Sequence, residues 1–160
     1  MGRQQAGGAA VHGDYILIRD VKTNGSHGGT FTASAWQTRD LTEETADVGG
    51  HAALASNQVT LQPGTYRFNA RAPGFGVRRH QTRFYDTTNS AVVQLGSNAA
   101  SQTTTDASDS KCVGEFTITA ATVFELQHYC TITRATNGFG ATNGSTVENV
   151  YSTIEFWKVG

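Results

Sequence analysis

Proline is scarce, with 2 in 160 residues; methionine occurs once and cysteine twice. So little proline excludes collagen-like and polyproline chains. Two cysteines cannot frame a disulfide-stapled miniature domain. Charge is scarce as well: 12 Lys+Arg against 13 Asp+Glu leave a net charge of −1. That removes the electrostatic case for nucleic acid or an anionic membrane surface as a partner. No apolar run approaches the ~20 residues of a spanning helix, so membrane insertion is not expected. GxGxxG, the Walker lysine, the GxSxG elbow, HxH and HExxH are all missing, so phosphate loops, a hydrolase nucleophile and a zinc centre have no motif behind them. The start, "MGRQQAGGAAVHG", lacks the apolar segment of a signal peptide, and Ala6 breaks the myristoylation pattern. Residues 1–13 are expected to be a flexible leader or the end of a stalk, and residues 14–160 one domain, as the length suits.

What fills the chain instead is Ser, Thr, Asn, Gly and alternating apolar runs, the composition of strands joined by polar turns. Strands are expected in "DYILIRDV", "TFTASAWQTR" (30–39), "NQVTL", "TYRFNAR", "HQTRFYD", "AVVQLG", "KCVGEFTIT", "TVFELQHYCTIT" and "VENVYSTIEFWKV". Asp40–Ala52, Ser97–Ser110 and "RATNGFGATNGST" are expected to be loops. Gln62-Pro63-Gly64-Thr65 suits a type II turn. The spacing also suggests a hairpin between the two runs after Lys111, pairing Ile118 with Phe124, Phe116 with Leu126, Gly114 with His128 and Cys112 with Cys130. A slip by one residue would bury Glu115 and Glu125. Short strands in this number point to an all-β sandwich or jelly roll.

Chemistry-bearing residues are few. Cys112 and Cys130 form either a disulfide or a pair of buried thiols; the missing secretion signal favours thiols. His128 beside Cys130 could serve as a base, but a packed core pair is the simpler reading. "DASD" (106–109) is too sparse in ligands for an EF-hand, so neither metal nor cofactor is expected. Asn24-Gly25-Ser26 and Asn143-Gly144-Ser145 match glycosylation sequons but are explained by turn chemistry. The strands "YILI" and "VYSTIEFWKV" carry apolar residues on both faces: Val150, Ile154 and Phe156 on one side of the second, Tyr151, Trp157 and Val159 on the other. A second apolar face needs a cover, and identical subunits supply one.

The segments "LQPGTYRFNARAPG", "HQTRFYD", "GEFTITAATVFELQHYCTITRATNGFG" and "VYSTIEFWKV" together resemble the C1q/TNF-like head domains at the tips of bacteriophage tail fibres and related bacterial adhesive fibres. The resemblance runs from about Thr30 to Val159 and departs at the Ser97–Ser110 stretch. It implies a ten-strand jelly roll, a homotrimer burying well over ~2,000 Å², an N-terminal junction to a fibre shaft, and a location at a virion or cell-surface fibre tip. The implied role is non-enzymatic attachment to a cell-surface receptor, often a glycan, through loops far from the shaft; the alternative is a structural capping head without a receptor. Candidate contacts are Asn24, His27, His51, Arg78, His80, Asn137, Phe139 and Asn143. Tyr66, Phe68, Phe124, Tyr151, Phe156 and Trp157 are expected to share the core and the subunit interface.

Overall fold

Alternation of apolar and polar side chains decides what lies inside. The computed structural model describes residues 13–160; the expected leader therefore lies, Gly13 apart, outside the described residues. In β6 (Gly64–Phe75) Tyr66, Phe68, Ala70 and Ala72 are buried, while Arg67 and Asn69 are exposed. In β10 (Thr122–Cys130) Phe124, Leu126, His128 and Cys130 are buried, and the residues between them are half-buried. The remaining strands are β1 (Asp14–Lys22), β2 (Gln37–Thr38), β3 (Glu43–Asp47), β4 (Ala52–Ala55), β5 (Gln58–Leu61), β7 (Arg78–Asp86), β8 (Ala91–Ser101), β9 (Ala107–Ile118) and β11 (Asn149–Lys158).

Ten of them form two sheets, in the orders β3-β1-β11-β6-β9 and β4-β5-β10-β7-β8, with β2 attached to β10. Every pairing is antiparallel. This is the expected ten-strand jelly roll. The first sheet is called sheet I below and the second sheet II. Their inner faces meet in one core holding Ile16, Ile18, Tyr66, Phe68, Phe84, Phe124, Leu126, Ile154 and Phe156. Phe84 stacks on Phe124 at 4.9 Å between ring centroids and tilts against Phe68 at 4.6 Å. Each such ring taken fully out of water is worth about 2 kcal/mol. A second, smaller cluster of Phe31, Val77, Cys130 and Phe139 closes one end.

Several expectations are corrected. β9 and β10 do not form a hairpin. β9 pairs with β6, whereas β10 pairs with β7 and β5. Alternation identified their inner faces correctly, but those faces meet across the sandwich instead of along one sheet. Cys112 and Cys130 are therefore not neighbours: they are two free buried thiols in different clusters. Burial pushes each up to about 11, which keeps them protonated and unreactive near neutrality.

The Pro63-Gly64 corner is not a type II turn, because Gly64 has φ of 153° where that turn needs about +80°. It carries the chain from sheet II to sheet I, not around a hairpin. Pro73 sits inside β6, beyond the last residue, Arg71, that pairs with β11. Its missing N–H breaks no bond to that strand.

Residues 30–39 are mostly not a strand. The N–H groups of Thr32, Ala33 and Ser34 go to Gln37 Oε1, Thr133 Oγ1 and the Cys130 carbonyl, leaving only Gln37–Thr38 for a ladder. The supposed loop 40–52 contains β3, a polar edge strand, and the supposed loop 97–110 is largely the end of β8 and the start of β9. Val150 is 39% exposed and Tyr151 buried, the reverse of the expected facing for Val150. The β1–β11 register shifts between Arg19 and Val21, where Thr153 and Val150 are the successive partners, and this irregularity turns the side chains over.

At the β6–β7 turn Gly76 has φ of 62°, and a Cβ there would approach the Thr103 carbonyl oxygen at 3.0 Å. Gly76→Ala is expected to lower stability by about 1 kcal/mol, measured by urea unfolding.

Candidate functional site

The polar loops gather at one end. Asn24 Nδ2 donates to the Thr146 carbonyl, Gly28 N–H to Gly140, Gly76 N–H to Asp106 and Phe75 N–H to Gly138. These bonds tie together loops 23–36, 75–78, 102–106 and 131–148. The opposite end holds Gly13 against the Lys158 carbonyl, and Thr65 N–H on the Gly160 carbonyl. Of the expected contacts, Asn24, His27, Arg78, Asn137, Phe139 and Asn143 fall in the loop end or at its border. His51 does not: its Nε2 lies 2.8 Å from Asp14 Oδ2 at the end where the chain enters.

Most of these side chains are already engaged. His27 Nδ1 accepts the Thr142 N–H, Asn137 Oδ1 accepts Arg134 Nε, and Asn143 Oδ1 accepts both the N–H and the hydroxyl of Ser145. Phe139 is 6% exposed and anchors the loop from inside, so it offers no stacking platform. Arg78 is exposed, has φ of 61° and no side-chain partner among the described residues.

Beneath the loops runs a buried chain of hydrogen bonds. Ser108 Oγ donates to the Ala100 carbonyl at 2.7 Å. Its only proton is thus committed, so it must accept from His80 Nε2, 2.8 Å away. A neutral His80 then has Nδ1 free to accept, and His128 Nε2 at 2.9 Å is the donor. His128 Nδ1 in turn faces Arg39 Nη1 at 3.4 Å. All donors point one way, from Arg39 through His128 and His80 to Ser108. Because His80 Nε2 carries a hydrogen, it cannot take a proton from Ser108, and the serine is not an activated nucleophile. Burial, reinforced by the Arg39 charge, lowers His80 to about 4 and His128 well below its ordinary value.

Arg39 is the largest fully buried side chain. Its guanidinium donates to the carbonyls of Pro73 at 2.9 Å and Phe139 at 2.7 Å, and lies 3.9 Å from the centroid of the Phe139 ring. Burial lowers it to about 9, against the attraction of Asp20 and Asp40. Lys22 lies 3.0 Å from Asp20 and 2.7 Å from Asp40, but both Asp20 oxygens lack a well-directed hydrogen bond. Arg39 and Asp20 are buried, whereas Lys22 and Asp40 reach the surface. Arg39 itself sits between the two core clusters and does not face open solvent.

The open surface with the most varied chemistry is the outer face of sheet II. A cleft of about 540 Å³ lies over β7, β8 and β10, lined by Arg79, Gln81, Asn98, Ala100, Tyr129 and Thr131 among others. Tyr129 leans on Trp36 at 5.6 Å, and the Arg83 guanidinium sits 4.2 Å from the Trp36 ring centroid and 4.7 Å from that of Tyr85. Arg83 Nε donates to Gln127 Oε1 at 2.8 Å. Below it Glu125 is raised by burial, but bonds from Gln58, Gln127 and Thr38 outweigh that and hold it below the usual carboxylate range. The face is thus a braced lattice of rings, amides and guanidinium groups on rigid strands. Among the described residues no three or more His, Cys, Asp or Glu side chains cluster as a metal site would require.

The outer face of sheet I is mixed. Tyr15, its ring 5.6 Å from Trp157, donates to Glu155 at 2.7 Å; burial first, then this bond, raises its hydroxyl to about 12. Leu17 adjoins this pair, but Arg67, Asn69, Arg71 and Lys111 occupy the β6 and β9 part. Of the residues expected to divide between core and subunit interface, Tyr66, Phe68, Phe124, Tyr151 and Phe156 are core; Trp157 alone stands on this outer face. The apolar band is therefore narrower than the sequence implied.

Sequence reasoning missed Trp36, Arg79, Gln81, Arg83 and Tyr129 as a surface. A signal existed in "HQTRFYD" and "LQHYC": in each run the residues opposite the core set are aromatic, amide or guanidinium. His80, a candidate from the same run, is 2% exposed and points inward.

No protein-family model matches the chain, and no curated protein matches it in sequence. Solved structures do. Murine APRIL superposes with a TM-score of 0.60 at 7% identity, covering 91% of this chain and 98% of that one. The globular domain of zebrafish complement 1qA gives 0.57 at 11% identity, covering 92% and 98%. The PRD1 vertex protein P5 gives 0.54 at 13% identity, covering 94% and 100%. The chain has a C1q/TNF-like jelly-roll fold.

Proposed function

We propose that this domain is the homotrimeric, non-enzymatic head of a fibre, on a virion tail or a bacterial surface, that attaches to a cell-surface receptor of glycan type. The observation that carries this reading is the polarity of the domain. Gly13 and Gly160 lie at one end, and four loops are bonded together at the other. A shaft joined at residue 13 leaves the loops and the flanking sheet faces directed away from it. Tyr15, Leu17 and Trp157 on sheet I offer the apolar band on which three copies meet. The likeness to a vertex protein of PRD1 supports a place on a virion. Three copies of a weak site raise apparent affinity by ~10²-fold or more.

A purely structural capping head is the second reading. It is favoured by one fact: the loop-end Asn24, His27, Asn137 and Asn143 spend their polar atoms on neighbouring loop residues.

Light scattering is expected to show a particle three times the 17.0 kDa chain mass at micromolar concentration. The labelled domain is expected to bind whole host cells. A monodisperse 17.0 kDa species overturns the trimer. A trimer that binds no cell in a panel of candidate hosts leaves the capping head as the function.

A further inference from the structure

We infer that the cleft on the outer face of sheet II is a subsite for an acidic sugar, with the sugar carboxylate on Arg79 and a face of its ring on Tyr129. The inference rests on the attachment reading above and assigns it a place and a ligand class. It departs from the expectation that the loops bind.

Four observations converge. First, the cleft is roomy enough, at about 540 Å³, for one or two sugar rings, whereas at the loop end Asn24, His27, Asn137 and Asn143 are internally bonded. Second, its charge is of one sign. Arg79 is exposed, its guanidinium has no acceptor among the described residues, and no Asp or Glu lines the cleft. The other nearby cation, Arg78, is likewise unpaired and precedes Arg79 in β7. An unpaired guanidinium on a rigid strand is a ready two-pronged donor to a carboxylate.

Third, the polar groups beside it are planar amides with open capacity. Gln81 Nε2 is held by the Gly96 carbonyl at 2.9 Å, which fixes the side chain and leaves Oε1 free to accept a sugar hydroxyl. The Asn98 side chain has no partner among the described residues, and Asn98 stands opposite Gln81 in the ladder. Two amides side by side can give to and take from vicinal hydroxyls.

Fourth, the aromatic member is braced. Tyr129 is paired with Gln81 across the ladder and leans on Trp36, which Arg83 covers in turn. A ring held in this way costs little ordering entropy when a sugar C–H face packs on it. Ala99, Ala100 and Thr131 complete the wall with small side chains that leave room for the ring. A neutral sugar would use the amides and Tyr129 but leave Arg79 unpaired; an anionic one pairs it.

The test uses the intact domain on an array of oligosaccharides ending in glucuronate, galacturonate or a sialic acid, each beside a neutral counterpart lacking the carboxylate. At least one acidic glycan is expected to bind at least tenfold better than its neutral counterpart. Arg79→Gln and Tyr129→Ala are each expected to weaken that binding at least tenfold with the unfolding temperature kept. Arg67→Gln on sheet I, exposed and far from the cleft, is expected to leave it unchanged. Undiminished binding by Arg79→Gln, or equal binding of acidic and neutral partners, overturns the inference. So does a fall in particle mass with Arg79→Gln, which would make the cleft a contact between copies. Cells bound without any acidic glycan bound would sink the subsite and leave the attachment reading standing; failure on both would sink both.

Discussion

Arg39→Met is expected to unfold roughly 10 °C below the parent domain, a loss of about 3–5 kcal/mol. Methionine fills much of the same volume, so the loss does not come from a cavity. It comes from three acceptors left without a donor: the Pro73 and Phe139 carbonyls and His128 Nδ1. The Phe139 carbonyl and His128 Nδ1 meet Arg39 in buried contacts where water cannot easily compensate, and the Pro73 carbonyl is half-buried. The weaker of the two cations near buried Asp20 goes as well, leaving Lys22 alone to offset it. The damage falls where the two core clusters join, so loop 131–148 should lose hydrogen-exchange protection before the main sheets do. Calorimetry and exchange measurements check both points. A stability within 1 kcal/mol of the parent would mean that the guanidinium is dispensable to the joint.

Such an arginine was not legible in the sequence. Arg39 ends an apparently alternating run, and arginine is ordinarily an exposed residue. Only the arrival of Pro73 from β6 and Phe139 from the last long loop makes its site polar enough to bury it. The legible part of the fold was face membership. The core sets Tyr66–Ala70, Phe124–Cys130 and Ile154–Phe156 follow directly from period-two alternation. Partner choice was not legible, because periodicity says which side chains point inward and nothing about which sheet a strand joins. Cys112–Ile118 and Phe124–Cys130 therefore looked like hairpin arms when they are opposed layers.

Polar edges were also hidden. β3 reads "EETAD" and the start of β9 reads "ASDS". Edge pairing and side-chain bonds such as Ser110 Oγ to the Ser97 carbonyl hold them in place of apolar burial. The site was legible only in outline. Asn and Gly runs marked the loops, but turn-forming side chains bond to their own turns, which is why Asn137 and Asn143 are occupied. The sheet II cleft needed β8 beside β7, a pairing that brings Asn98 to Gln81.

Acid weakens the domain in a defined window. His80 is lowered to about 4 in the folded state, against about 6.5 in an unfolded chain. Between those values the unfolded state binds the proton and the folded state does not, so stability falls as pH drops through 6.5 and continues falling to about 4. His80 alone costs about 2 kcal/mol by pH 5, and His128, lowered in the same direction, adds to it. The cause is the one-way donor chain. A proton placed on His80 Nδ1 meets the N–H of His128. If His128 shifts its hydrogen to Nδ1, that hydrogen meets Arg39.

Urea midpoints are expected to drop by about 1 M between pH 7.5 and 5, for a slope of about 2 kcal/mol per M. His80→Gln keeps one donor and one acceptor and is expected to flatten this dependence between pH 7 and 5. Equal slopes for the two proteins would place the acid sensitivity elsewhere.

The last strand in the chain is not at the margin of its sheet. β11 lies between β1 and β6, and Asp14 pairs with Lys158 across almost the whole described length. During synthesis, therefore, the opening strand waits without its neighbour until residues 149–158 have been made. Sheet I can form its β1–β3 and β6–β9 pairs as the ribosome proceeds, but it closes late, when β11 joins them, at the slow rate that distant pairings impose. A ribosome-stalled intermediate ending before Asn149 should leave the β1–β3 and β6–β9 pairs unjoined, with the β11-facing edges of β1 and β6 open to protease.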